Sequence, residues 1–331
     1  MGKLAHRPAV RRAAHRLRLR GFKERVNIRD DLDELETVVP PHVGEFSIFL
    51  RMANLADEAH FGNPNQYQIH TATGIVFEPP TDRQMAFYRR ILVLFADLET
   101  IVTLVHRARW TAAQYPTLLT ADECVAYLQA DIHAFHAEMR SLFDSIALTT
   151  KQIFYQPNKI RGLKEPPDTF FYLRKWCHNF QNRALIGSAL GGLISNCDWF
   201  DPFRQFRESI IHKERDAFVQ THPDGDIIFR MLYSLKTRMT YAGPAEFLWK
   251  DWIRFDPYAG YYLGKLLFFL DRYCEFSAAE LEVDLHGALI YTPTRIQAAY
   301  ACIGRTTQVI SESLHTRRVY DRNWDAISWT R

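Results

Sequence analysis

Between positions 204 and 215 the chain sets out the cations Arg204, Arg207, Lys213 and Arg215, the carboxylate Glu208 and the imidazole His212. These residue types can run a phosphoryl transfer on RNA without a metal. RNA carries its own nucleophile, the 2′-hydroxyl beside each phosphate. Cutting needs a base for the hydroxyl proton, an acid for the leaving oxygen and a cation for the charge that builds on phosphate. Histidine exchanges protons near neutral pH, and the guanidinium fork suits phosphoryl oxygens.

Arg207 and His212 are five residues apart, roughly 140° around a helix and about 7.5 Å along it. One helix does not converge both on one phosphate, whereas two copies facing across a two-fold axis do. Arg204, Glu208, His212 and Arg215 form a separate row, so Arg204 is an alternative phosphate ligand to Arg207. Glu208, four residues before His212, would hold the imidazole and raise its affinity for a proton. The same row also reads as a surface salt-bridge ladder.

Such residues need a helix under them. Asp201 is a capping type, and Pro202 suits the first helical position. Phe203, Phe206, Ile210, Ala217 and Phe218 keep helical spacing on one stripe. The predicted helix runs over 202–221. Ahead of it, apolar steps of three and four predict helices over about 44–60 and 82–109. Thr120 and Glu123 make a capping box for a long helix over 121–155. A third bundle helix is expected from Asp168 toward Cys197, its Gly187, Gly191 and Gly192 allowing close approach. Tyr67–Phe77, with Thr73-Gly74, predicts a hairpin. A strand is expected over 226–235 with a partner in 246–253, then helices from Pro257 and from Thr292-Pro293.

Two long helices, a third, and then a helix carrying Arg, four residues and His resemble the HEPN superfamily over about residues 82–221. The motif reads Arg207-Glu208-Ser209-Ile210-Ile211-His212, with Phe203-Arg204-Gln205-Phe206 before it and Lys213-Glu214 after it. Glu208 stands where the family commonly has Asn, Asp or His. The resemblance implies a metal-independent endoribonuclease with no cofactor, acting on RNA as a homodimer. Arg207, His212 and Glu208 would be its composite catalytic site. It also implies a toxin or defence setting, with a neutralising partner protein. The expected fold is mainly α: an antiparallel helical bundle of HEPN type with a small β-hairpin and additional C-terminal helices.

Charge and composition complete the reading. Of 331 residues, 47% are hydrophobic and 14% aromatic, which is core-forming and excludes a disordered chain. The net charge of +3 hides an uneven distribution. Lys3, Arg7, Arg11, Arg12, Arg16, Arg18, Arg20, Lys23 and Arg25 face a single acid, Glu24, in the first 25 residues. That arm is either a solvated tail or a hold on nucleic-acid phosphate through residues such as Arg11, Arg12, Arg16, Arg18 and Arg20. Arg204, Lys213 and Arg215 would contribute to the same hold. The expected organisation is an arm over 1–40, a segment 41–80, the bundle over 81–225, and a hairpin with C-terminal helices over 226–331.

The five scattered cysteines lack metal-site spacing and suit a reduced, cytoplasmic protein. No apolar run is long enough for a membrane span. His133 and His136, with Glu138, lack further ligands and read as a solvated face or a bundle contact. His178 reads as a core or supporting histidine. The aromatics from Phe247 to Phe276 read as packing, since base stacking would need cations interleaved in one plane. The rival to the enzyme is a non-catalytic module whose motif helix forms a dimer interface and whose arm binds nucleic acid.

Overall fold

A computed structural model describes residues 48–61, 69–71, 74–76, 80–156, 164–201, 203–205, 217–221, 226–230, 248–249 and 252–283. Helix α1 (Ile48–Phe61) buries Phe49, Met52, Leu55 and Ala56. Its start is tied down by Asp271, whose carboxylate accepts the Phe49 N–H at 2.9 Å. Strands β1 (Ile69–Thr71) and β2 (Gly74–Val76) form the hairpin expected from Thr73-Gly74, with Thr71 opposite Gly74.

The spine is a pair of long helices, α2 (Asp82–Gln114) and α3 (Ala121–Thr149). Both begin on capping boxes, because a helix start leaves N–H groups without partners. In α3 the Thr120 hydroxyl accepts the Glu123 N–H at 3.3 Å, and Glu123 accepts the Thr120 N–H at 2.9 Å. In α2, Thr81 and Gln84 do the same, and the Gln84 amide also donates to the Leu281 carbonyl at 2.9 Å. The apolar stripes that predicted the two helices face each other. Asp131, buried in that seam, is held by Arg107 from α2. The helix expected over 121–155 ends as five residues of π-helix, Thr150–Phe154. There the Thr149 and Thr150 hydroxyls bond back to the carbonyls of Ser145 and Ile146 and loosen the ladder.

The single helix expected from Asp168 to Cys197 is three short ones: α4 (Phe170–Cys177), α5 (Phe180–Ala184) and α6 (Ser188–Ser195). Asn179 caps α5 by accepting the Gln181 N–H, which starts a new helix instead of extending the old one. Gly187 then takes φ of 94°, a left-handed value that ends helical continuity. Close approach is seen at Gly191, where a Cβ would meet Arg183 at 3.0 Å, and not at Gly192. At Gly187 a Cβ would collide with the Glu280 side chain. Gly187→Ala is therefore expected to cost roughly 1–3 kcal/mol in urea unfolding. Gly192→Ala, with nothing within 4 Å of an added Cβ, should instead stabilise by about 0.5–1 kcal/mol.

A four-stranded antiparallel sheet follows, in the order β3-β4-β6-β5. Its strands are β3 (Phe218–Thr221), β4 (Ile227–Arg230), β5 (Leu248–Trp249) and β6 (Trp252–Arg254). The expected strand near 226 and its partner near 253 are present. The helix expected to continue through 221 is not, because Ala217 has left it and Phe218 begins a strand. The expected border at 225/226 also falls between the paired strands β3 and β4.

Helix α7 (Phe255–Glu280) is apolar on nearly every side, as a central helix must be. It meets α3 through Phe135–Phe255 and Phe143–Phe269 ring pairs at 5.7 and 5.4 Å. The aromatics Phe255, Tyr258 and Tyr262 are thus core packing. One hydrophobic core runs from Phe49 to Leu281. The architecture is mainly α with a small antiparallel sheet. Among the described residues no helix is long and apolar enough to cross a membrane. The expected helix from Thr292-Pro293 lies outside them.

Candidate functional site

Of the residues expected to do chemistry, Arg204 lies among the described ones. Arg207, Glu208, His212, Lys213 and Arg215 lie outside them, as do Arg11, Arg12, Arg16, Arg18 and Arg20. The structure describes the frame on either side of the motif.

Upstream, the frame is electrostatic. Arg174 of α4 is 4% exposed and needs countercharge there. Its Nη2 donates to Asp198 at 2.6 Å, and its Nη1 lies 2.7 Å from Asp201. Asp201 is therefore not the helix cap that its position suggests. Residues 200 and 201 are already helical, and the carboxylate faces Arg174. Sequence reasoning passed over Arg174, although a signal was there. It shares the apolar stripe of Phe170, Leu173 and Cys177, where a cation demands an acid, and Asp198 and Asp201 bracket the next turn.

Two residues on, Phe203 is fully buried. Its ring stacks on His136 at 5.0 Å and meets Tyr262 at 4.9 Å. The Arg204 guanidinium lies 3.8 Å over the ring of Phe171, which also takes Lys175 at 4.0 Å. Downstream, the described chain resumes at Ala217, whose N–H donates to His133 Nε2 at 3.1 Å. Both flanks of the motif are thus fixed to adjacent turns of α3, one through His136 and one through His133.

These two histidines are engaged in contacts within the protein. His136 Nδ1 lies 2.7 Å from the Ile132 carbonyl, which can only accept, so Nδ1 carries the proton. Nε2 then accepts from the Tyr258 hydroxyl at 2.8 Å. Both ring nitrogens are used, and the pair is a bundle contact. Among the described residues no group of His, Cys, Asp and Glu is arranged to hold a metal. His178, expected as a core or supporting histidine, is exposed: α4 stops at Cys177 and leaves it on the turn. The described cysteines are free and buried. Burial pushes the Cys177 thiol up to about 12 and raises Cys197 and Cys274 as well, so none offers a thiolate near neutral pH.

Burial also pulls the His136 pKa down from 6.5 to about 4. Between those values the unfolded chain takes up a proton that the folded chain refuses. Stability is full above pH 6.5 and falls as the pH drops toward 4. The loss expected from this one group is about 3 kcal/mol, measurable as urea midpoints across that window.

The chain matches no family model, no curated protein and no solved structure.

Proposed function

We propose that the chain is a HEPN-like endoribonuclease that cuts RNA without a metal ion. The observation that carries this reading is the frame. A mainly helical bundle, built on two long paired helices, holds Phe203 and Ala217, described residues on either side of the Arg207–His212 segment, against one face of α3. The buried His136 stands against one flank and the half-buried His133 against the other.

In the proposed reaction the 2′-hydroxyl loses its proton to a base and its oxygen attacks the adjacent phosphorus. The bond to the 5′-oxygen breaks, and that oxygen takes a proton from an acid. The products are a 2′,3′-cyclic phosphate and a 5′-hydroxyl. His212 supplies base or acid, Arg207 or Arg204 meets the charge on the phosphoryl oxygens, and Glu208 orients the imidazole. Two copies of the motif across a two-fold axis would bring these groups onto one phosphate. A toxin or defence role with a neutralising partner protein belongs to the same proposal.

The test is cleavage of end-labelled RNA in EDTA by the parent chain, Arg204→Ala and Arg207→Ala, each checked for melting temperature and oligomeric state. Cutting should fall at least a hundredfold in one of the two variants, as removal of a transition-state cation does. Equal cutting by all three proteins would count against the proposal.

A further inference from the structure

We infer that the open end of the small sheet, formed by Phe218, Arg230 and Trp252, is a stacking platform for single-stranded RNA. This inference takes RNA, and not another polyanion, from the endoribonuclease reading. The rest comes from the sheet itself.

Register puts the three side chains on one face. Phe218 lies directly opposite Arg230, and Ile228 directly opposite Arg254. Trp252, two residues before Arg254, shares that face, because side chains alternate along a strand. The other face, with Val219, Phe229 and Ile253, is buried in the core. On the outer face the Arg230 guanidinium lies 5.4 Å from the Phe218 ring and 4.6 Å from the Trp252 ring. Phe218 is 44% exposed. Farther along, Ile228 is buried and Arg254 is 3.3 Å from Asp226, which confines the platform to the Phe218 end.

An exposed aromatic ring backed by a guanidinium offers a face for an unpaired base to stack on, while the cation meets the backbone phosphate. Among the aromatics from Phe247 onward the nearby cations Lys250, Arg254 and Lys265 are dispersed along the sequence. Arg230 supplies the guanidinium from another strand, a pairing that no local reading contains. A duplex keeps its base faces hidden, so the platform favours a single strand. Its position suits the proposed chemistry, since Phe218 follows Ala217, the residue anchored to His133, three residues beyond Arg215.

The test is fluorescence anisotropy with a short labelled oligouridylate and the full chain carrying His212→Ala, so that cutting does not interfere. Phe218→Ala and Arg230→Gln should each weaken binding about tenfold. Arg230→Gln should also reduce the salt dependence. Phe218→Trp should keep the parent affinity, Trp110→Ala, at an exposed aromatic of α2, should leave it unchanged, and the same RNA in a duplex should bind more weakly. Parent-like binding by Phe218→Ala and Arg230→Gln with unchanged melting, or duplex binding equal to single-strand binding, would overturn the inference. If the chain cuts RNA through His212 but these variants bind normally, the platform falls and the cleavage reading stands. If binding depends on Phe218 and Arg230 while the chain does not cut, the platform stands and the cleavage reading falls.

Discussion

His212→Ala is expected to slow RNA cleavage by roughly a hundred- to ten-thousandfold, the range over which a positioned acid or base contributes. The melting temperature and oligomeric state should stay those of the parent. Three described histidines have other places in the fold. His136 has both nitrogens engaged and is held neutral by burial. His133 accepts the Ala217 N–H and so anchors the chain. His178 stands on an exposed turn. His212 is the imidazole that the proposed motif sets among Arg207, Glu208 and Arg215. A conservative check is His212→Gln, which keeps hydrogen bonding but not proton exchange and should be as inactive as the alanine variant. The protein would still bind RNA in both cases.

The largest effect on stability is expected at His136. Removing a fully buried ring that stacks on Phe203 leaves a cavity and takes away the acceptor that His136 offers the Tyr258 hydroxyl. His136→Ala should therefore cost about 3–5 kcal/mol. His136→Phe restores most of the volume, still lacks that acceptor and should cost about 1–3 kcal/mol. The two variants share a second signature. The loss of stability between pH 6.5 and about 4 should disappear in both, since the group that titrates is gone. Urea unfolding at several pH values reads both effects. An unchanged pH slope in His136→Phe would show that the acid sensitivity arises elsewhere. Because Phe203 leans on His136, His136→Ala should also lower cleavage, and His136→Phe should restore it.

What could be read from the sequence was what is local. Thr120 and Glu123 announced the start of α3, and the steps from Phe87 to Val105 gave α2 its buried face. Thr73-Gly74 gave the first hairpin. Where a conformation depends on distant contacts, the pattern misled. Phe218 and Ala217 fall on the helical stripe begun by Phe203, but four residues are too few to separate a helix period from a strand period. Pairing with β4 decides the matter. The third helix broke first at Asn179, which caps a new helix, and again where Gly187 takes a left-handed φ. Propensity could not show that, since glycine is permissive in either state. The Tyr258 partner of His136 lies 122 residues away, beyond any periodicity argument. Arg174 was the one missed residue with a local signal, a cation on an apolar stripe.

The central claim is that RNA is cut by its own 2′-hydroxyl, without metal, at Arg207–His212. The most direct measurement is mass spectrometry of the fragment ends formed by the purified full chain in EDTA, beside His212→Ala. The account predicts 2′,3′-cyclic phosphate and 5′-hydroxyl ends from the parent and intact RNA from the variant. Fragments ending in 3′-hydroxyl, equal cutting by both proteins, or no cutting of any RNA by either would contradict it.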